Sequence, residues 1–310
     1  MPGFNHYSVM LCECVEALNV SDGIYVDCTA GGGGHSLEII KRIKNGKLIA
    51  IDQDGAAISA VKERLSGYSD KLITVRSNFS EITAIVGGLG ITSVRGALID
   101  LGVSSYQLDT PERGFSYMHN APLDMRMSDE NKLTAYEVVN TYGVDELKRI
   151  LWDYGEESFA PKIAAAIAAR REKSPIETTF ELVDVIKSAM PAKAKNGQHH
   201  PCKRSFQAIR IEVNHELDVI EPTLRALVGL LESGGRLAVI TFHSLEDRIA
   251  KQTFSDLARG CTCPPSFPVC VCGKKPQIRQ VNKKPILPSE RELIENPRSR
   301  SAKLRIIEKL

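Results

Sequence analysis

The sequence predicts an α/β fold: a parallel sheet wound with helices and interrupted once by an inserted all-α domain. Three observations predict it. Short Val- and Ile-rich runs alternate with helical patterns through the first hundred residues, residues 132–190 then carry helical periodicity with no strand between, and a strand pattern returns at Gly235–Ser244. Regular β-α alternation requires parallel strands joined by right-handed crossovers. The insert therefore splits one sheet domain into residues 1–105 and 205–310, with 106–204 as a helical, substrate-recognising insert.

In chain order, strands are expected at Gly23–Ala30, Lys47–Asp52, Leu72–Phe79 and Ala97–Leu101, with helices at Ser36–Lys44 and Ala56–Leu65. The insert should hold helices at Leu133–Asn140, Val144–Tyr154, Glu157–Lys173 and Thr179–Met190, with Pro175 and Pro191 as breakers. One long amphipathic helix from about Arg204 to Leu231, kinked at Pro222, leads back to the sheet, and Ala302–Ile307 forms the last strand. An insertion after the fourth strand is well placed to cover a site at the strand ends and to select a substrate.

At 310 residues, 43% of them hydrophobic and 25% charged, the chain can bury a sizeable core and has the balance of a soluble globular protein. No run approaches the roughly 18 apolar residues of a membrane span. Met1–Leu18 lacks a basic n-region and carries Glu13 and Glu16, so no export signal is expected. A cytoplasmic protein follows, whose eight cysteines are reduced thiols or metal ligands and not a disulfide framework. The net charge of +2 hides an asymmetry: from Cys261 onward eleven Lys or Arg face four Glu, a balance of +7, leaving −5 on the first 260 residues. A basic tail on an acidic body suggests a polyanionic partner or, equally, a solvated surface.

The most informative stretch is Tyr25–Ser36, an apolar strand running into four glycines and a helix start, followed by Leu48–Asp52, a second strand closing on a carboxylate. That order marks a nucleotide-type site, because ligands bind at the carboxyl ends of such strands and an acid ending the second strand can accept from both ribose hydroxyls. A dinucleotide fingerprint needs a third glycine, and Ser36 occupies that position. Asp27 just before the turn would repel a diphosphate but could hold the cationic end of an amino acid, directly or through water. S-adenosylmethionine is thereby favoured over NAD, and a nicotinamide oxidoreductase is disfavoured.

Longer strings carry a resemblance. Asp27-x-Thr29-x-Gly31-x-Gly33-Gly34-His35-Ser36, Asp100-Leu-Gly-Val-Ser-Ser105, Pro122-Leu-Asp-Met-Arg-Met127, Phe206-Gln-Ala-x-Arg-Ile211, Phe242-His-Ser-Leu-Glu-Asp-Arg248 and Asn296-Pro-Arg-Ser-Arg-Ser301, from His6 nearly to the last residue, resemble the RsmH (MraW) family. These are bacterial S-adenosylmethionine-dependent methyltransferases acting on cytosine N4 of 16S ribosomal RNA. The resemblance implies a Rossmann-like class I methyltransferase with an inserted all-α domain, a target cytidine in the decoding region, the small ribosomal subunit as partner, and neither membrane nor DNA. Carried over by position, it implies cofactor contacts at Gly33, Gly34, His35, Asp52, Phe79, Asp100 and Gln107. Phe79 would end the third strand as a wall for adenine, and Asp100 would end the fourth where the methyl donor points.

Two residues are candidates for catalysis. The N4 amine is a poor nucleophile, so an enzyme must accept its hydrogen bonds and align it with the methyl group. Asp100 can do the first, although Leu101-Gly102-Val103 replaces the Pro-Pro-aromatic context of many amino methyltransferases; Tyr106, Phe115 and Tyr117 are candidates for stacking on the base. His243 either faces the cleft as an acid-base group or belongs to the helix start, where Ser244 and Asp247 are spaced like a capping box. Lys193–Arg204 and the tail residues Arg298, Arg300, Lys303 and Arg305 are the expected phosphate contacts. Cys261, Cys263, Cys270 and Cys272 form two C-x-C pairs that could make a structural zinc site or remain thiols on a hairpin; no metal ligand is assigned. The reading competing with an enzyme is a noncatalytic RNA-binding assembly factor, which would leave a complete cofactor pocket unexplained.

Overall fold

The computed structural model describes residues 8–192, 200–261, 263, 264, 267–269 and 271–310. By contact density the chain forms two units: residues Met1–Gly102 with Leu217–Leu310, and residues Val103–Glu216.

The first unit is built on a sheet. Its strands are β1 (Gly23–Asp27), β2 (Gly46–Asp52), β3 (Leu72–Arg76), β4 (Val94–Asp100), β5 (Leu231–Thr241), β6 (Ile278–Gln280) and β7 (Lys303–Lys309). Among the described residues they form a seven-stranded sheet in the order β3-β2-β1-β4-β5-β7-β6. The first five are parallel, and β7 runs antiparallel to both β5 and β6. Helices α1 (Leu11–Leu18), α2 (Gly34–Ile40), α3 (Gly55–Arg64) and α4 (Ile82–Gly88) belong to the first stretch of the chain. Both faces of the strands are covered, which is why they read as continuous apolar runs. On β2, Leu48 and Ala50 enter one buried cluster while Ile49 and Ile51 enter the other, the two-residue alternation of an extended chain.

Several boundaries differ from expectation for local reasons. The third strand ends at Arg76, and Phe79 opens a 3-10 turn, Phe79–Glu81, because the Asn78 side chain accepts from the Ser80 N–H at 2.9 Å. Helices α1 and α4 and strand β6 were not among the expected elements.

The second unit is helical: α5 (Ser105–Asp109), α6 (Ala135–Thr141), α7 (Val144–Asp153), α8 (Ala160–Arg171), α9 (Thr179–Ala189) and α10 (Lys203–Asn214). Three helix starts are capping boxes, Ser104 with Gln107, Thr134 with Glu137, and Thr178 with Glu181. Leu147, Ile150, Leu151, Ile163, Ile167 and Leu182 fill its core. This unit extends past the expected boundary at 204, because Phe206, Ile209 and Val213 of α10 are buried in that same core. The Asn214 amide closes it, accepting from the Met127 N–H at 2.7 Å and donating to Met125 O at 2.8 Å.

The long helix expected from Arg204 to Leu231 is two helices. The break falls at His215, in the left-handed region at φ 50°, and the chain then resumes as α11 (Ile220–Leu230), ahead of β5. Pro222 does not kink it: it lies in the first turn of α11, where a missing N–H costs nothing. The remaining elements are α12 (Ser244–Ala258) and α13 (Glu290–Glu295). Among the described residues, no helix is long and apolar enough to cross a membrane.

Candidate active site

The register of three parallel strands makes the site. Asp27 of β1 pairs with Ala50 of β2 on one side and Leu98 of β4 on the other, so Asp52 and Asp100 each lie two residues beyond the end of β1. The chain after Asp27 crosses this gap by bonding alternately to its neighbours. Cys28 N–H donates to Leu98 O at 2.9 Å and Ala30 N–H to Ile51 O at 2.9 Å. The side chains repeat the pattern: Asp100 N–H donates to Thr29 Oγ1 at 2.6 Å, and Gly31 N–H to Asp52 Oδ2 at 2.8 Å. A turn of small residues is thus held between two carboxyl groups at one edge of the sheet.

Two glycines there are required by geometry. Gly33 caps α2 at φ 75°, a conformation that favours glycine. At Gly34 a Cβ would lie 1.8 Å from Ser8 Oγ. His35, on the first turn of α2, is buried, its Nε2 is 3.0 Å from Val9 O, and its Nδ1 is 4.0 Å from Asp100 Oδ2. It is therefore more than a helix-start residue, tying the segment before α1 to the glycine turn.

The three acids differ. Asp27 is fully buried and satisfied, with Oδ2 accepting from Ser36 Oγ at 2.6 Å and Oδ1 from Thr29 N–H at 3.3 Å. Burial pushes it up to about 6 against those two bonds. Asp27 is held inside by Ser36 and the turn, one bond to each carboxyl oxygen. Asp52 is half-buried and pushed up to about 6 by burial, against N–H bonds from Asp54 at 2.9 Å and Gly31. Asp100 is raised well above the ordinary carboxyl range, by burial first and then by the charges of Asp27, Glu246 and Glu292. Its Oδ1 is buried with no hydrogen-bond partner among the described residues, so it is an acceptor left open.

Phe79 is half-buried against the core of the sheet unit, just past β3. Gln107 is buried in the helical unit, where its amide oxygen accepts from Ser104 N–H at 3.0 Å as part of the capping box. His243 is the N-cap of α12, so the capping box begins one residue earlier than expected. Its Nδ1 accepts from Glu246 N–H at 3.5 Å, and Glu246 Oε2 accepts from His243 N–H at 3.2 Å and Phe242 N–H at 2.7 Å. His243 Nε2 is 3.1 Å from Glu246 Oε1 but outside hydrogen-bond geometry.

Of the stacking candidates, Phe115 is helical core with the Arg113 guanidinium 5.8 Å from its ring, and it is withdrawn on that ground. Tyr117 is stacked on His200 at 4.3 Å, whereas Tyr106 is half-buried on α5. Of the phosphate candidates, Arg305 is buried and paired to Asp247 at 2.7 Å, and Lys303 Nζ is 3.1 Å from the same carboxylate. Those two are structural pairs; Arg298 and Arg300 are exposed. Residues 193–199 of the expected phosphate loop, together with His6 and Cys270, lie outside the described residues. Sequence reasoning missed Ser8 and Glu292, the latter accepting from Met10 N–H at 2.8 Å, because each acts across a large sequence separation, and it missed Glu246 because the box it completes starts at His243 and not at Ser244.

A sheet in this order with an antiparallel seventh strand, whose first, second and fourth strands end on acids around a glycine turn, defines a Rossmann-like methyltransferase fold. The sequence decides which: the MraW methylase family matches residues 3–310, and the chain belongs to that family. It is 56% identical to ribosomal RNA small subunit methyltransferase H 2 of Agathobacter rectalis, over 99% of this chain and 98% of that protein. It is also 56% identical to ribosomal RNA small subunit methyltransferase H of Clostridium botulinum (strain Kyoto / Type A2), over 99% of both. A solved rRNA methylase from Streptococcus thermophilus aligns at 12% identity with a TM-score of 0.43, over 97% of this chain and 93% of that one.

Proposed function

We propose that this chain methylates the exocyclic N4 amine of a cytidine in the decoding region of 16S ribosomal RNA, on the small ribosomal subunit in the cytoplasm, with S-adenosylmethionine as methyl donor. The observation that carries the reading is Asp100: a half-buried carboxyl at the end of β4 whose Oδ1 is buried and unpartnered, two residues past the end of β1 and across the glycine turn from Asp52. An acceptor so placed is suited to an ammonium or an amine N–H, and pairing would restore the ionisation that burial opposes. Asp52, anchored by two N–H donors and partly exposed, keeps lone pairs for a ribose diol. Relatives 56% identical over nearly the whole chain are named for methylation of small-subunit ribosomal RNA, which supports the substrate class.

The proposed cofactor contacts are Gly33, Gly34, His35, Asp52, Phe79, Asp100 and Gln107, the last resting on the family motif. When bound, S-adenosylmethionine supplies a methyl group on a cationic sulfur, which passes to nitrogen without a covalent enzyme intermediate. The chain's own work is to hold and orient. Asp100 accepts from the cofactor's ammonium or the target amine, and His243 with Glu246 fixes the start of α12. The target base must leave its stack to be reached.

The test is transfer of labelled methyl to purified small subunits, followed by nucleoside analysis. N4-methylcytidine is expected, abolished by Asp100→Asn or reduced by orders of magnitude. Label in another nucleoside, in protein or nowhere defeats the proposal, as does full turnover and cofactor affinity in Asp100→Asn.

A further inference from the structure

We propose that Cys261, Cys263 and Cys272 are ligands of a zinc ion that pins the excursion between α12 and β6. The chain leaves near the end of α12 and returns at Gln277, whose N–H donates to Leu257 O at 2.9 Å, and Gly260 lies against Pro276. The described residues of this excursion form no strand or helix, which is uncommon at this length unless something holds the chain. Apolar burial does not hold this one: Phe267, Val269 and Val271 are 50%, 70% and 74% exposed, and no cysteine of the three is buried. Nevertheless the three Sγ atoms lie within 4.8 Å of one another.

The distances select metal over disulfide. Cys272 Sγ and Cys261 Sγ are 3.8 Å apart. A disulfide requires about 2.05 Å, whereas tetrahedral zinc with Zn–S of about 2.3 Å sets its sulfurs about 3.8 Å apart. Two backbone amides point at the sulfurs, Cys263 N–H at 3.3 Å from Cys261 Sγ and Val271 N–H at 3.4 Å from Cys263 Sγ. N–H···S donors of this kind stabilise thiolate and orient it as a ligand. Binding forms three Zn–S bonds and releases the three thiol protons to solvent, with no change of oxidation state; water or another donor completes the tetrahedron. Cys270 lies outside the described residues. The proposal is independent of methyl transfer.

The full-length protein, purified under reducing conditions without chelator and reconstituted with zinc chloride, is expected to hold about one zinc per chain by elemental analysis. Cobalt(II) in its place should give sulfur-to-metal charge-transfer bands and the visible bands of tetrahedral coordination. Cys263→Ser/Cys272→Ser should lose metal and bands together, while Cys12→Ser, at an exposed thiol on α1, should keep both. If the double variant misfolds, thiol titration of the wild type decides: zinc should shield the three cysteines and a chelator release them. Background metal after reconstitution, metal retained by the double variant, octahedral cobalt spectra or thiols unshielded by zinc would overturn the proposal.

Discussion

Ser36 stands where a dinucleotide-binding turn has its third glycine, and its hydroxyl donates at 2.6 Å to the buried Asp27 carboxyl. The substitution that separates this turn from a dinucleotide site is thus a bond to the acid ending β1. Burial holds both Asp27 and Asp52 near 6, above the roughly 4 of an unfolded aspartate. A raised folded pKa contributes stability that is full below about 4 and is lost as pH rises through about 6. The protein without cofactor is therefore expected to lose, between about pH 4 and 6, the Tm contribution of these two groups, with a smaller loss in Asp52→Asn. Cofactor affinity should run the other way, because the ribose contact uses the carboxylate: calorimetry should find it weakening below about pH 6, by up to about tenfold per unit. Asp52→Asn should bind about 10- to 100-fold more weakly at pH 7.5, the loss of a charged hydrogen bond. Affinity level across that range would remove Asp52 from the site. Gly34 gives a second residue-scale test. Its Cβ would meet Ser8 Oγ at 1.8 Å, so Gly34→Ala should cost about 1–3 kcal/mol in denaturant unfolding, and Gly34→Ala/Ser8→Gly should recover most of it.

At the scale of elements, the start of α12 joins the fold to the site, since Glu246 is both the box partner of His243 and one of the charges raising Asp100. His243→Ala should lower stability by about 1 kcal/mol, whereas His243→Asn, a good N-cap residue, should preserve it. Comparing Tm with turnover separates the two roles: unchanged stability with lost turnover in His243→Asn marks acid-base chemistry, and full activity marks a cap. The box itself was legible from Phe242–Arg248, but one residue out of register, because histidine is a rare cap. Strands β1, β2 and β4 were readable because burial on both faces makes them apolar runs ending on acids. The break between α10 and α11 was not readable: Pro222 drew attention, while the turn depends on the left-handed conformation of His215, which no local pattern marks. Phe79 shows the same limit, since Asn78 ends β3 by a side-chain bond. Asp27, Asp52 and Asp100 were all found at the strand ends, but that Asp27 is satisfied and Asp100 is not depends on Ser36 and Thr29 in three dimensions.

For the whole molecule, the charge asymmetry reads differently once pairings are known. Of the +7 carried from Cys261 onward, Lys303 and Arg305 are committed to Asp247, and Arg279 is 2.6 Å from Glu308. Charges neutralised within the fold cannot release counterions from RNA, so the tail's share of binding rests on other cations, among them the exposed Arg300 of the turn Pro297–Ser301. Each phosphate contact to a single strand contributes about 0.7 to the slope of log affinity against log salt. Arg300→Ala should therefore weaken small-subunit binding at low salt and flatten that slope by about 0.7, leaving Tm nearly unchanged. Arg305→Ala should do the reverse. It leaves Asp247, half of a partly buried pair, without its 2.7 Å guanidinium partner, so Tm should fall while the salt slope of the folded fraction holds. Filter binding to purified subunits across a salt series, beside thermal unfolding of the same samples, separates the two. If Arg305→Ala changed the slope as much as Arg300→Ala, the basic tail would have to act as one diffuse patch and not as separate cations.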